Sequence, residues 1–596
     1  MKINVFSSPK IITTLIIIFP LLFIWQGLDF SDTGYFLSIY QQIFNDPESV
    51  SGRNLSWLTN IIGGIWVSLF GDSLGLLGVN FAGVLTVYLS LWFSYLILKP
   101  YIDKRILLLG LFFTLIFAKW WYLLSYYNLS ALFFIMSAFF ITCGLKSSKY
   151  WQIALSGFIM GLNIFVRLPN IIGFLLIFVI MLFAILNKIK LKKQIMQLGS
   201  FIFGYIISIL LAFFAIKIMG HYNIVIDNFK KIIPLLADAP GQHSFNSLTR
   251  IFYIEILKTI TFAMITISSM LLVPKLLIRT KNRYVYYSLI ILPIITISLL
   301  YAYVMWSGFC INKFLVFFVF SLLFTILVLY ITNIEKSNNE FRMIAFTALL
   351  VLIFPTIGSS SGFFMSVNSM WLAFPIAFSY IWGLKELKIE LNTKHYTNSS
   401  YSSFELAQKE TSLIRKISII LIALLSLISA FIFTVRDFPN RFEMRYSIKN
   451  PRLMGIFTNK ERARVVQELL NELENYVKED DYLLAYEAIS TLYFLTKTRP
   501  YLYSTQPLFY QQSQLRKYLD KAIKERPYFP VIVRAKGSVW DPKWPVKCDM
   551  IKSDDRNIGN RGILEEFIKT NGYYLKWEND FFEILLPKQK YQAQTN

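Results

Sequence analysis

The stretch LDFSDTGYFLSIYQQIF, residues 28–44, places Asp29 and Asp32 three positions apart. On a helix that spacing puts both carboxylates on one face. A carboxylate so placed can take the proton of an attacking hydroxyl. The same two acids also suit the cap of a helix N-terminus, and the local sequence leaves both roles open. Four cations, Arg53, Lys119, Arg167 and Arg250, fall at or near the ends of apolar runs. A guanidinium offers a planar fork of donors that matches a phosphate. Arg167, in FVRLPN, sits at a tight turn between two apolar runs. A charge there is costly and marks a functional position, with snorkelling to headgroups as the alternative. His221, Asp227, Asp238 and His243 share one polar segment, but their spacing matches no compact metal motif such as HExxH. The aromatic run KWWYLLSYYN, 119–128, reads either as an interfacial belt or as a stacking surface for sugar rings.

The elements that position these residues are membrane helices. Hydrophobic residues make up 55% of the 596 and charged residues only 16%, against roughly 25% charged in a soluble protein. The deficit lies in the first 435 residues. Thirteen apolar runs there are long enough, or nearly so, to cross a ~30 Å hydrocarbon core. They fall at about 11–27, 75–98, 106–119, 127–145, 150–166, 168–187, 198–218, 251–273, 285–305, 311–332, 342–357, 363–384 and 417–435. The first has Lys2 and Lys10 before it and no small-x-small cleavage site after it, so it reads as a retained span. Residues 55–70 are apolar but too short to span, and read as a helix on the membrane surface.

The net charge of +23 invites a nucleic-acid reading. The location of the charge excludes it, because the basic residues cluster in short breaks between spans. With the N-terminus cytoplasmic, 23 Lys and Arg fall on the cytoplasmic side of the first 435 residues and 7 on the outer side. Loops 28–74 and 219–250 then lie outside, as does everything after Arg436. The segment 385–416 reads as a flexible cytoplasmic linker. Cys143, Cys310 and Cys548 form no CxxC or Cys/His cluster and read as isolated thiols.

The chain therefore divides into a transmembrane module, 1–435, and a soluble outer domain, 436–596. The tail has helical periodicity over 458–478, 508–525 and 561–571. Strands are expected at 482–486 and 530–535, and a hairpin over 573–587. This alternation predicts a small α/β domain.

The whole pattern resembles the GT-C superfamily of glycosyltransferases, of the protein O-mannosyltransferase and aminoarabinose transferase type. The resemblance runs through one span, an acidic first outer loop, a surface helix, a second large outer loop after span seven, and a soluble outer tail. SDTGYF, 31–36, resembles the family's D-E-G-aromatic signature, and WLTNIIGGIWVSLFGDS, 57–73, resembles the segment leading into span two. The match covers residues 10–250 well and the later spans by topology alone.

The resemblance implies a polyprenyl-phosphate-linked sugar donor and a glycan, lipid or protein acceptor, on the outer face of a bacterial inner membrane. It implies Asp32, with Asp29 as a second candidate, as base, and Arg53, Arg167, Lys119 and Arg250 on the donor phosphate. His221, Asp227 and His243 would contact the acceptor. Thr33 stands where many members carry a second acid, so metal use does not carry over. No cofactor is required on this reading, and no motif supports a divalent cation. The competing reading is a transporter or flippase of a lipid-linked glycan. On either reading the centre lies at the membrane surface beneath the tail.

Overall fold

The computed structural model describes residues 8–25, 27–53, 55–117, 122–230, 244–279, 313–333, 336–383, 424, 426–434 and 437–588. The expected span 285–305, the linker 385–416, Lys119, Asp238 and His243 lie outside the described residues, as does the side chain of Arg53.

The described residues up to 383 are mostly helical. Helix α1 (Pro9–Leu21) leads to a turn and to α2 (Asp32–Gln42), and a 3-10 segment follows at Pro47–Arg53. Next comes α3 (Trp57–Leu98), in which the expected surface helix and second span form one element, broken at Gly75. The break has a physical cause. Gly75 has φ +49, and a Cβ there would run into the backbone of Arg452. The Arg452 side chain ties the same place to the tail, with an ion pair to Asp72 at 2.8 Å and a hydrogen bond to the Phe494 carbonyl at 2.8 Å.

Among the described residues, five helices are long and apolar enough to cross a membrane. Three shorter apolar helices join them, at Pro9–Leu21, Tyr150–Val166 and Val316–Ile331. The expected single span at 363–384 is corrected by the structure. Gly362–Asn368 and Ala373–Trp382 are separate helices bent by 83°. The sequence GFFMSVNSMWLAF is apolar enough to hide that break, and Pro375, in the first turn of the second helix, is its one mark.

The tail follows its sequence pattern closely. A short ribbon pairs β1 (Tyr446–Ser447) with β2 (Phe457–Thr458). The main sheet contains β3 (Tyr482–Tyr486), β4 (Arg499–Pro500), β5 (Val531–Ala535), β6 (Tyr573–Glu578) and β7 (Phe582–Pro587), in the order β4-β3-β5-β7-β6. Strand β3 is parallel to β4 and β5, and the β6–β7 hairpin completes the sheet in antiparallel fashion. Strand β7 buries Phe582 and Ile584 on one face and Leu585 on the other, in two separate apolar clusters. The helix Lys460–Leu473, capped by the Asn459 side chain at 2.8 Å from Arg462 N, buries Val465, Val466, Leu469 and Leu473 against the tail's core.

The apolar packing divides the molecule in an unexpected place. One core joins the membrane helices. A second unites Leu28, Phe30, Phe36, Leu37 and Tyr40 with Leu469, Leu492, Phe494, Trp544 and Phe582. Residues 28–40 thus belong to the core of the tail, which also takes in Val79, Ala82, Leu129 and Val166 of the helices, while Ile43, Trp57 and Ile61 join the helical core.

Candidate active site at the start of helix α2

Two neighbouring acids serve two purposes here. The carboxylate of Asp29 accepts from Ser31 N at 3.0 Å, Ser31 Oγ at 2.9 Å, Thr33 N at 2.9 Å and Thr33 Oγ1 at 3.0 Å. It is buried, and it satisfies amide donors that the first turn of α2 would leave open. Helix α2 begins at Asp32, so Asp29 precedes the helix and shares no helical face with Asp32. Asp32 itself is half-buried in the first turn. There the partial positive charge of the helix N-terminus favours an anion.

One turn on, Tyr35 begins an aromatic row. Its ring packs edge-on against Phe36 at 5.3 Å, and Phe36 meets Tyr126 at 5.2 Å. Tyr126 stacks beside Tyr127 at 4.2 Å and donates to its hydroxyl at 2.9 Å. At the far end the Arg167 guanidinium lies 5.9 Å from the Tyr126 ring centre, a cation–π distance. Arg167 is presented by the break between the helices Tyr150–Val166 and Leu168–Leu186, where the chain turns extended before Pro169. Its nitrogens donate to the carbonyls of Pro355 at 3.1 Å and Gly358 at 3.4 Å. Those carbonyls belong to the irregular stretch that precedes the 83° bend. Nearby, the Glu255 carboxylate accepts from Phe363 N. Irregular backbone among apolar helices persists where such partners satisfy it. One row of rings therefore runs from Tyr35, one turn after Asp32 on the same helix, to Arg167.

The other expected site residues are placed apart from this row. His221 is buried, with Nδ1 accepting from Trp57 Nε1 at 3.1 Å and the ring donating to the Ile43 carbonyl. Burial lowers its pKa, against the opposing effect of that carbonyl. Asp227 is exposed and pairs with exposed Lys230 at 3.6 Å. The helix Tyr222–Lys230, which carries Asp227, leans on the first loop through Asn228 Nδ2 to the Ser51 carbonyl at 2.7 Å. Arg250 is exposed on the helix Phe245–Arg279. Arg53 ends the 3-10 segment that follows α2. Among the described residues, no three His, Cys, Asp or Glu side chains come together as a metal-holding group.

Sequence reasoning missed the residues of the tail that surround the turn. Asp437 and Arg462 form a fully buried ion pair, and Arg462 also donates to the carbonyl of Trp544 at 3.0 Å and stacks on its ring at 4.1 Å. Burial lowers the pKa of the Arg462 guanidinium, and Asp437, Asp29 and Asp541 act in the opposite direction. Arg462 had a legible signal. It falls on the apolar stripe of its helix, in register with Val465, Val466, Leu469 and Leu473. A charge on such a stripe announces a buried partner.

No family model matches the chain, and no curated protein matches it. Among solved structures it is similar to ArnT from Cupriavidus metallidurans bound to undecaprenyl phosphate. The identity is 12% and the TM-score 0.49, over 96% of this chain and 97% of that one. It is also similar to the archaeal oligosaccharyltransferase AglB from Archaeoglobus fulgidus in complex with an inhibitory peptide and a dolichol-phosphate. There the identity is 11% and the TM-score 0.43, over 99% of this chain and 74% of that one.

Proposed function

We propose that this chain is a membrane glycosyltransferase of the GT-C type, with thirteen spans and its tail outside an inner membrane. It transfers a sugar from a polyprenyl-phosphate donor to a glycan, lipid or protein acceptor. The observation that carries the reading is the half-buried Asp32 at the start of α2, followed one turn on by an aromatic row that ends at Arg167. Asp32 takes the proton of the acceptor hydroxyl as its oxygen attacks the anomeric carbon. The bond from that carbon to the phosphate oxygen breaks, and the electron pair leaves with the polyprenyl phosphate. Arg167 offsets the charge that gathers on the departing phosphate, and the row of rings offers apolar faces to the sugar. Direct attack inverts the anomeric centre. The reaction as written requires no cofactor.

The test is sugar transfer by purified protein in detergent, with undecaprenyl-phosphate hexoses as donors. Asp32→Asn, which keeps size and helix start, is expected to lower the rate by about 10²–10⁴-fold. A rate within about threefold of wild type removes Asp32 from the mechanism. The 83° bend is a feature that transporters also use at their binding sites, so translocation is the second reading. Movement of a lipid-linked glycan across sealed vesicles with no covalent product would favour it.

A further inference from the structure

The backbone that leads into Asp32 is held by the tail at four consecutive residues. Leu28 N donates to Asp437 Oδ2 at 2.6 Å. The Asp29 carbonyl accepts from Thr491 Oγ1 at 2.7 Å, and the Phe30 carbonyl from Thr491 N at 3.0 Å. The Ser31 carbonyl accepts from Gln506 Nε2 at 3.3 Å. Between these bonds the Phe30 ring is fully buried against Trp544 at 5.3 Å. Beyond Asp32, Gly34 packs so tightly on Ser490 and Thr491 that a Cβ would overlap the Thr491 backbone nitrogen.

All three partner residues, Asp437, Thr491 and Gln506, lie more than 400 residues downstream of the turn. A turn between two helices would otherwise give its amides and carbonyls to water and sample many geometries. Here the tail closes those choices. Thr491 is the central contact, because one residue holds two successive carbonyls by its hydroxyl and its amide.

We infer that Thr491 and Gln506 are positioning residues for Asp32. On this inference the tail is part of the catalytic apparatus, through the backbone it fixes. The inference rests on the glycosyltransferase reading for its catalytic half and on geometry alone for its structural half. Reacting groups must be held within a fraction of an ångström, and a misplacement of about 1 Å costs on the order of 100-fold in rate.

The test uses full-length protein in detergent and three variants. Thr491→Val and Gln506→Met keep shape and remove one hydrogen bond each, while Thr491→Ser keeps the hydroxyl. Hydrogen exchange is read over 28–36, with 482–486 as the folding control. Transfer is measured with the undecaprenyl-phosphate hexose that wild type turns over fastest. Thr491→Val combined with Gln506→Met is expected to speed exchange over 28–36 by about tenfold or more, leaving 482–486 unchanged. The same protein should lose about 10- to 100-fold in kcat, with the donor KM within about twofold. Thr491→Ser should match wild type in both readouts.

Unchanged exchange over 28–36 overturns the inference. So does faster exchange with unchanged kcat, or a loss that Thr491→Ser shares. Should 482–486 loosen in the double variant, Gln506→Met alone decides by the same two readouts. If wild type turns over no such donor, the glycosyltransferase reading falls, and the exchange measurement still decides whether the tail holds the turn.

Discussion

The long loops 28–74 and 219–250 begin from similar expectations and end in different structure. Both follow an apolar helix, and both carry acids that invite a functional reading. The first is taken into the core of the tail, with Leu28 and Phe30 fully buried and a buried Asp437–Arg462 pair at its edge. The second, where it is described, touches its surroundings through His221 and Asn228, and leaves Asp227 and Lys230 in solvent. Acids alone therefore say little. What separates Asp29, Asp32 and Asp227 is what surrounds each carboxylate. Four donors saturate Asp29 in a structural role. Asp227 has a screened surface partner, and Asp32 stands at a helix start beside aromatic rings.

The largest effect that can break this contrast falls on the buried pair. Arg462→Met removes the cation and leaves Asp437 buried with the donors Leu28 N, Thr458 Oγ1 and Phe438 N. Loss of one partner from a buried pair costs about 3–5 kcal/mol. Thermal melting of the tail should report that loss, and Arg462→Met with Asp437→Asn should recover part of it. A single variant that melts like wild type would mean that the first loop is held no more firmly than the second. Next comes Gly34→Ala. Its methyl group has no room against Thr491, and overpacking of this kind costs about 1–3 kcal/mol. Faster proteolysis within 28–40 would show it. No change would mean that helix α2 and the tail separate easily in solution.

These two residues also mark how far the sequence could be read. Periodicity located every strand of the tail's sheet except β4, whose two residues, Arg499 and Pro500, are too short to carry a period. Apolar runs located the described helices, because length and apolar composition leave a mark in the sequence. The bend within 363–384 left only Pro375, since Asn368, Ser369 and the apolar residues around them suit a helix as well as a break. Asp32 and Arg167 were legible as charges in costly places. Their connection was not, because it passes through Tyr35, Phe36 and Tyr126, which sequence treats as ordinary aromatics. The hold of the tail on residues 28–31 was the least legible. Carbonyl partners such as Thr491 and Gln506 have no spacing rule, and the turn they hold lies more than 400 positions away.

A smaller effect separates the loops by pH. His221 anchors the second loop as a neutral ring, with Nδ1 accepting from Trp57. Its folded pKa lies below the ordinary histidine value because of burial. As pH falls below about 6.5, the unfolded chain takes up the proton first. Stability from this group is therefore complete above about pH 6.5 and declines below it. Protonation sets two N–H donors against each other, at a cost of about 0.5–1.5 kcal/mol for the lost bond. Melting at pH 7.5 and 5.5 should show a drop in wild type that is reduced in His221→Asn. An equal drop in both would place the pH dependence elsewhere.

The smallest stability effect belongs to Asp227→Asn. Both members of its pair are exposed, and exposed pairs contribute about 0–1 kcal/mol. Melting should shift by no more than about 0.5 kcal/mol in equivalent stability. That near-silence makes the variant useful, because stability and binding then separate cleanly. If the second loop meets the acceptor, Asp227→Asn raises the acceptor KM while kcat and melting stay close to wild type. If KM is also unchanged, the exposed charge of the second loop plays no part in the reaction. The contrast with the first loop then becomes one between a region that positions chemistry and a region that does not touch it.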